Sequence, residues 1–224
     1  MTRLVVVSGG ETGIGRAVAH RLAGGGDQVV ILGLRAELLE QAAEEINTAL
    51  GTDRVRWHGA DLTRPDEVLD AVAAINEVGD PVDVLVTNAG GRPHGDADAP
   101  VEEADSRRRR YDPNVLATVL LTRALLPYLR RPGGRVIATG SAAASRGTGS
   151  YDAAKDTLRA WAHGLVPTLA EDGITIDVVA PPLDPDVDPD PESAAFRRHA
   201  AALDGHLDRL LDLLNTPRQG SEHA

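Results

Sequence analysis

Two stretches of this sequence combine residue types and spacings able to do chemistry. The first is Tyr151-Asp152-Ala153-Ala154-Lys155. Residues four apart on a helix share a face, so the Lys155 ammonium can stand beside the Tyr151 phenol. A nearby cation favours the phenolate and brings its pKa down from about 10. A phenol tuned in this way is a usable general acid–base near neutral pH. Because Tyr-x-x-x-Lys also arises by chance in many helices, its weight comes from its place relative to the second stretch. That stretch is Ser8-Gly9-Gly10-Glu11-Thr12-Gly13-Ile14-Gly15, lying between a β-branched run and a helix. Glycines there allow a tight turn and a close backbone approach to a pyrophosphate. The following helix start offers free N–H groups and the positive end of a dipole. A purely structural glycine turn is the plain alternative.

A third feature concerns which nucleotide such a turn would hold. Sites that select NAD usually end the second strand in a carboxylate for the ribose 2′-OH. Here the run is Ile31-Leu32-Gly33-Leu34-Arg35. It offers no acid, and Arg35 can pair with a 2′-phosphate, with Arg16 a possible helper. NADP(H) is favoured over NAD(H). The alternative is that Arg35 is a solvated residue at a helix start.

These residues need a scaffold, and the hydrophobic pattern supplies one. Strands are predicted at Leu4–Ser8, Gln28–Leu32, Arg54–His58, Val82–Thr87, Arg135–Thr139 and Ile174–Val179. Helices fall between them at Ile14–Ala23, Ala36–Leu50 and Pro65–Val78, over a long stretch ending near Leu129, and at Tyr151–Glu171, where Pro167 is a kink candidate. Short apolar strands alternating with helices imply a doubly wound α/β fold, a parallel sheet covered on both faces. The segment from Pro181 to Pro191 is rich in Pro and Asp and unsuited to regular structure. Phe196–Leu214 reads as one amphipathic helix. The expected organisation is one domain, with a dinucleotide-binding catalytic part at 1–181 and a lid-like segment plus C-terminal helix at 182–224.

Composition narrows the function classes. The 224 residues carry a formal net charge of −11, which argues against nucleic acid or an anionic membrane as the main partner. With no cysteine, thiol catalysis, disulfides and thiolate metal sites are excluded. No apolar run is long enough to span a membrane, and the expected location is the cytoplasm. His94-Gly95-Asp96 is the only near-cluster of histidine with acid, and no metal spacing is present. The basic run Arg107–Arg110 reads as surface ion pairing or a subunit contact, and Trp57 and Trp161 read as packing residues.

Taken together, the motifs resemble the short-chain dehydrogenase/reductase family, over about residues 3–181. Ser8 to Gly15 resembles the family's Thr-Gly-x-x-x-Gly-x-Gly turn, with Ser in place of Thr. In Ala60-Asp61-Leu62-Thr63, Asp61 resembles the acid that contacts adenine. Asn88-Ala89-Gly90 resembles the Asn-Ala-Gly that borders the cofactor. The resemblance implies a catalytic tetrad. In it Asn114 holds a proton-relay water and Ser141 hydrogen-bonds the substrate oxygen. Tyr151 is the acid–base, and Lys155 tunes it and binds the nicotinamide ribose. It also implies hydride transfer between the nicotinamide and a ketone or secondary alcohol. The implied cofactor contacts are Ser8, Gly9, Gly13, Ile14, Gly15, Gly33, Arg35, Asp61, Leu62, Asn88, Ala89, Gly90, Tyr151, Lys155 and Pro181. A homodimer or homotetramer is expected, built on the helices around Asn114–Leu129 and Tyr151–Glu171.

Three departures from the family pattern stand out. Ser141 and Tyr151 are ten residues apart, where about thirteen is more usual. Pro181-Pro182-Leu183-Asp184 lacks the Gly and Thr that usually follow the sixth strand. The usual seventh strand is not evident, so six are expected. All three concern the nicotinamide and substrate side, while the adenine and pyrophosphate side is intact. They leave open a non-redox reaction on the same scaffold (cyclisation, dehydration or isomerisation) or a non-catalytic nucleotide-binding role.

Overall fold

Five consecutive buried residues, Leu4–Ser8, form β1. Burial on both faces explains why Leu4–Val7 is continuously apolar rather than alternating. The computed structural model describes residues 2–88, 90, 111–140, 150–180, 205, 207–209 and 212. For Ser150, Tyr151 and Asp152 it describes the backbone alone. After β1 come α1 (Gly13–Gly24), β2 (Gln28–Gly33), α2 (Ala36–Leu50), β3 (Val55–Gly59), α3 (Pro65–Asn76) and β4 (Val84–Thr87). A π turn (Asp112–Leu116) then leads into α4 (Ala117–Leu125), a 3-10 turn (Leu126–Tyr128) and β5 (Arg135–Thr139). The described elements between there and Val179 are α5 (Ser150–Glu171) and β6 (Thr175–Val179).

All neighbouring strands pair in parallel, in the order β3-β2-β1-β4-β5-β6. One core lies between the sheet and α1 and α2, through Val18, Leu22, Leu39 and Ile46. The other joins the sheet to α3, α4 and α5, through Val72, Ile75, Leu121 and Leu125 and also Ala162 and Leu169. This is the doubly wound arrangement with six strands among the described residues. Chain order reverses between β1 and β4, which places a crevice at the carboxyl ends of those two strands.

Local sequence sets several boundaries. Gly51 closes α2 in the left-handed conformation at φ 61°, which costs glycine little. Asn47 then ties that helix end to β3. Its Nδ2 donates to the Val55 carbonyl at 2.9 Å and its Oδ1 accepts from the Val55 N–H at 3.0 Å. Asn47→Ala leaves both backbone groups without that partner, and we expect it to lower stability by about 1–3 kcal/mol, measured by urea denaturation.

Several boundaries differ from expectation by one or two residues, among them β3, which runs Val55–Gly59 rather than Arg54–His58, and α3, which ends at Asn76 rather than Val78; two differences have a visible cause. β4 starts at Val84 rather than Val82, because Val82 makes only an isolated bridge to Leu129. The stretch ending near Leu129 is not one α-helix. It opens as a π turn with Pro113, which lacks an N–H, in its first turn, and it ends as a 3-10 turn containing Pro127. Pro167 lies inside α5 as expected. The Pro- and Asp-rich segment and its lid-like role lie outside the described residues. So does most of the predicted C-terminal helix. Of that helix, 205, 207–209 and 212 are helical, and Leu207 is buried in the α1–α2 core.

Candidate active site

Because every strand runs the same way, Ser8, Gly33, Gly59, Thr87 and Thr139 all fall on one edge of the sheet. The glycine turn leaves that edge at β1. Gly9 N–H donates to Leu32 O at 2.7 Å, holding the turn against the end of β2. Gly9 and Gly13 take positive φ, 66° and 53°. A methyl on Gly15 would stand 2.1 Å from Gly9 O, so only glycine allows the helix start to fold over the turn. A methyl on Gly13, by contrast, would meet nothing within 4 Å.

These residues fit a dinucleotide. The first turn of α1, which includes Ile14, contains no acidic side chain, and the N–H groups of Gly13, Ile14 and Gly15 have no intrahelical acceptor. An open glycine surface beside such a helix start is a seat for a phosphate.

The crevice at the chain-order reversal is closed by a direct link between strand ends. Asn88 N–H donates to Ser8 Oγ at 3.0 Å, and Asn88 Nδ2 donates to Gly9 O at 3.4 Å. Gly90, at φ 108°, lies against Asn114: an added methyl would be 2.6 Å from Asn114 Oδ1. The π turn thus carries Asn114, fully buried, onto the end of β4. Ala89 lies outside the described residues.

At the end of β3, Asp61 Oδ1 accepts from Thr63 N–H at 3.0 Å and from Thr63 Oγ at 2.7 Å. Leu62 beside it is buried. Ala60 N–H donates to Gly33 O at 2.8 Å, which sets this segment next to the end of β2.

Lys155 is the catalytic candidate whose side chain is best defined. It is 5% exposed, and Nζ donates to the Thr139 carbonyl at the end of β5 at 3.1 Å. Helix α5 buries Ala154, Leu158 and Ala162 against the sheet, which carries Lys155 to that edge. Burial pushes its pKa down from 10.5 to about 8. The unfolded chain therefore binds more protons between those values, so this group makes stability rise as pH climbs from about 8 to 10.5. Below about pH 8 the buried charge is a full cost. Lys155→Met is accordingly expected to stabilise the fold at pH 7 by about 1–2 kcal/mol and to flatten that alkaline slope, as read by thermal unfolding across pH. Tyr151 is in the same helix, one turn before Lys155. Ser141, Pro181 and the Tyr151 side chain lie outside what is described.

Two residues passed over at the sequence level belong to this edge. Thr139 acts through its backbone carbonyl, which no side-chain pattern signals. Glu11 lies within the glycine turn, its side chain 10% exposed and folded over Gly33. An added methyl on Gly33 would be 2.5 Å from Glu11 Oε2. Arg35, at the start of α2 and 55% exposed, has Nη2 3.6 Å from Glu11 Oε1. Arg16 points elsewhere, paired with Glu45.

Comparison with known proteins agrees with this geometry. The family model of the short chain dehydrogenases matches residues 3–185. D-beta-hydroxybutyrate dehydrogenase of Rhizobium meliloti (strain 1021) is 31% identical over 187 residues, covering 81% of this chain and 71% of that protein. A short chain dehydrogenase from Burkholderia cenocepacia J2315, solved in complex with NADP, is 30% identical. It superposes with a TM-score of 0.79 over 99% of this chain and 93% of its own. NADH-dependent reductase A1-R′, solved with NAD, is 28% identical with a TM-score of 0.72, covering 80% of this chain and 78% of its own. With a matching sequence over four-fifths of its length and a matching sheet, the chain belongs to the short-chain dehydrogenase family of oxidoreductases.

Proposed function

We propose that the protein interconverts a ketone and a secondary alcohol with a nicotinamide dinucleotide, and that Tyr151 gives or takes the proton on the substrate oxygen. The observation that carries this reading is the buried Lys155 ammonium, held on the Thr139 carbonyl one helical turn from Tyr151. A cation fixed there favours the Tyr151 phenolate. In the same reading Ser141 hydrogen-bonds the substrate oxygen, and Asn114 holds a water that passes the proton onward. When bound, the nicotinamide supplies or accepts a hydride at its ring carbon C4.

The dinucleotide would lie along the carboxyl edge. Ser8, Gly9, Gly13, Ile14 and Gly15 would hold the pyrophosphate. Asp61 and Leu62 would flank the adenine, and Asn88, Ala89, Gly90, Tyr151, Lys155 and Pro181 the nicotinamide side. From the turn at β1 to the Lys155 anchor at β5 is two strand spacings, or about 10 Å.

For the adenosine end, NADP(H) over NAD(H) is supported by Arg35 and by the missing acid at Gly33, and NADP is bound in the Burkholderia relative. Arg35→Glu is expected to weaken NADPH about tenfold and NADH far less, measured by cofactor fluorescence. Residues 1–181 would form the catalytic part, working in the cytoplasm as at least a dimer through α4 and α5. Light scattering tests the assembly, and only monomer at working concentrations would refute it.

NADPH consumption against a panel of ketones tests the reaction itself. Turnover lost in Tyr151→Phe supports the reading. Product formed without any nucleotide would instead favour a non-redox reaction on this scaffold.

A further inference from the structure

We propose that Glu11 is a specificity-determining residue of the nucleotide site, supplying from the glycine turn the ribose-facing carboxylate that the end of β2 lacks. The inference rests on the nicotinamide dinucleotide reading above. Where an acid at the end of the second strand would receive the 2′-OH, this chain has Gly33. The room left by its absent side chain is filled by Glu11, whose Oε2 and Oε1 would be 2.5 and 2.9 Å from a methyl placed there. The carboxylate therefore stands on the neighbouring turn rather than on the strand, at the same strand end.

Its surroundings point to a missing hydrogen-bond donor. The side chain is nine-tenths buried, with 10% exposed. Oε2 is inaccessible and has no hydrogen-bond partner among the described residues. Oε1 has Arg35 Nη2 at 3.6 Å, too long for a good hydrogen bond. A buried carboxylate oxygen left without a donor is costly. Once a turn of the carboxylate presents that oxygen to the edge, a ribose 2′-OH carries a donor able to relieve it, whereas a 2′-phosphate brings a second anion.

The same contact bears on Arg35. The guanidinium that would receive a 2′-phosphate already faces a carboxylate. To bind NADP the protein must turn Glu11 out or accept two anions side by side, and like charges in such a place are strongly unfavourable. Glu11 thus holds any NADP preference set by Arg35 to a small margin and keeps NAD as an accepted nucleotide.

The test uses the full chain as wild type, Glu11→Gln and Glu11→Ser, each titrated with NADPH and with NADH. We expect both variants to bind NADPH about tenfold or more tighter and NADH several-fold more weakly. An unchanged ratio of the two affinities in both variants overturns the role of Glu11 while leaving the nicotinamide reading standing. If neither nucleotide binds any of the three proteins, with helical circular dichroism intact, the nicotinamide reading fails and this inference with it. A second measurement needs no variant: adenosine 2′,5′-bisphosphate against adenosine 5′-monophosphate on the wild type. An advantage of a few-fold for the bisphosphate supports the proposal. An advantage of about a hundredfold, worth about 2.7 kcal/mol, overturns it.

Discussion

Tyr151→Phe is expected to lower turnover by roughly 10²–10⁴-fold, the usual range for losing a positioned general acid–base. Nucleotide affinity should change little. The substitution removes one hydroxyl and keeps the ring, so helix α5 should form as before. Lys155 still anchors on Thr139 O. The loss should appear in kcat and in kcat/KM together, because proton transfer belongs to the transition state rather than to binding. Turnover that survives at wild-type level would assign the proton to another group. The matching change at Lys155 has a different signature: Lys155→Met loses turnover but gains stability at pH 7, since it removes a buried cation whose pKa burial has lowered to about 8.

Gly15→Ala is expected to abolish nucleotide binding, with at least a hundredfold weaker affinity for NADPH and NADH alike, and to lower stability by about 1–3 kcal/mol. The added methyl would be 2.1 Å from Gly9 O and 2.8 Å from Gly9 C. Those are backbone atoms of the turn itself, so the clash cannot be relieved by a side-chain rotation. The turn must open, and with it the arrangement of N–H groups at the start of α1. Gly24→Ala is the control. Its methyl would meet only Leu50, at 3.6 and 3.9 Å, an ordinary contact at the end of the same helix. Fluorescence titration of the two variants side by side separates a geometric effect at the turn from a general effect of alanine in α1.

Much of the fold was legible because the central strands β1, β2, β4 and β5 are buried on both faces and therefore almost uniformly apolar. Leu4–Ser8, Ala36–Leu50 and Arg135–Thr139 occupy the positions that periodicity predicts. Of the shifts at β4 and at the helix that carries Asn114, the first has a non-local cause and the second a local one. Val82 pairs with Leu129, almost fifty residues away, rather than extending β4, and a proline redirects the helix that carries Asn114. The glycine turn and the Tyr151–Lys155 spacing could be read locally because both rest on short-range geometry. Glu11 could not. Its importance arises from the end of β2 lying against the turn after β1, with a glycine at the one position that lets a carboxylate in. The one local hint was the coincidence of an acid in the turn with the absence of an acid at Gly33. Lys155 illustrates the other limit: its spacing from Tyr151 is visible in the sequence, but its anchor is a backbone carbonyl.

The central claim is that the carboxyl edge holds a nicotinamide dinucleotide, and cofactor fluorescence tests it most directly. Titrating the purified protein with NADPH and with NADH should give saturable binding of both in the wild type and of neither in Gly15→Ala. If the folded wild type binds neither nucleotide, the account of this edge as a dinucleotide site is contradicted.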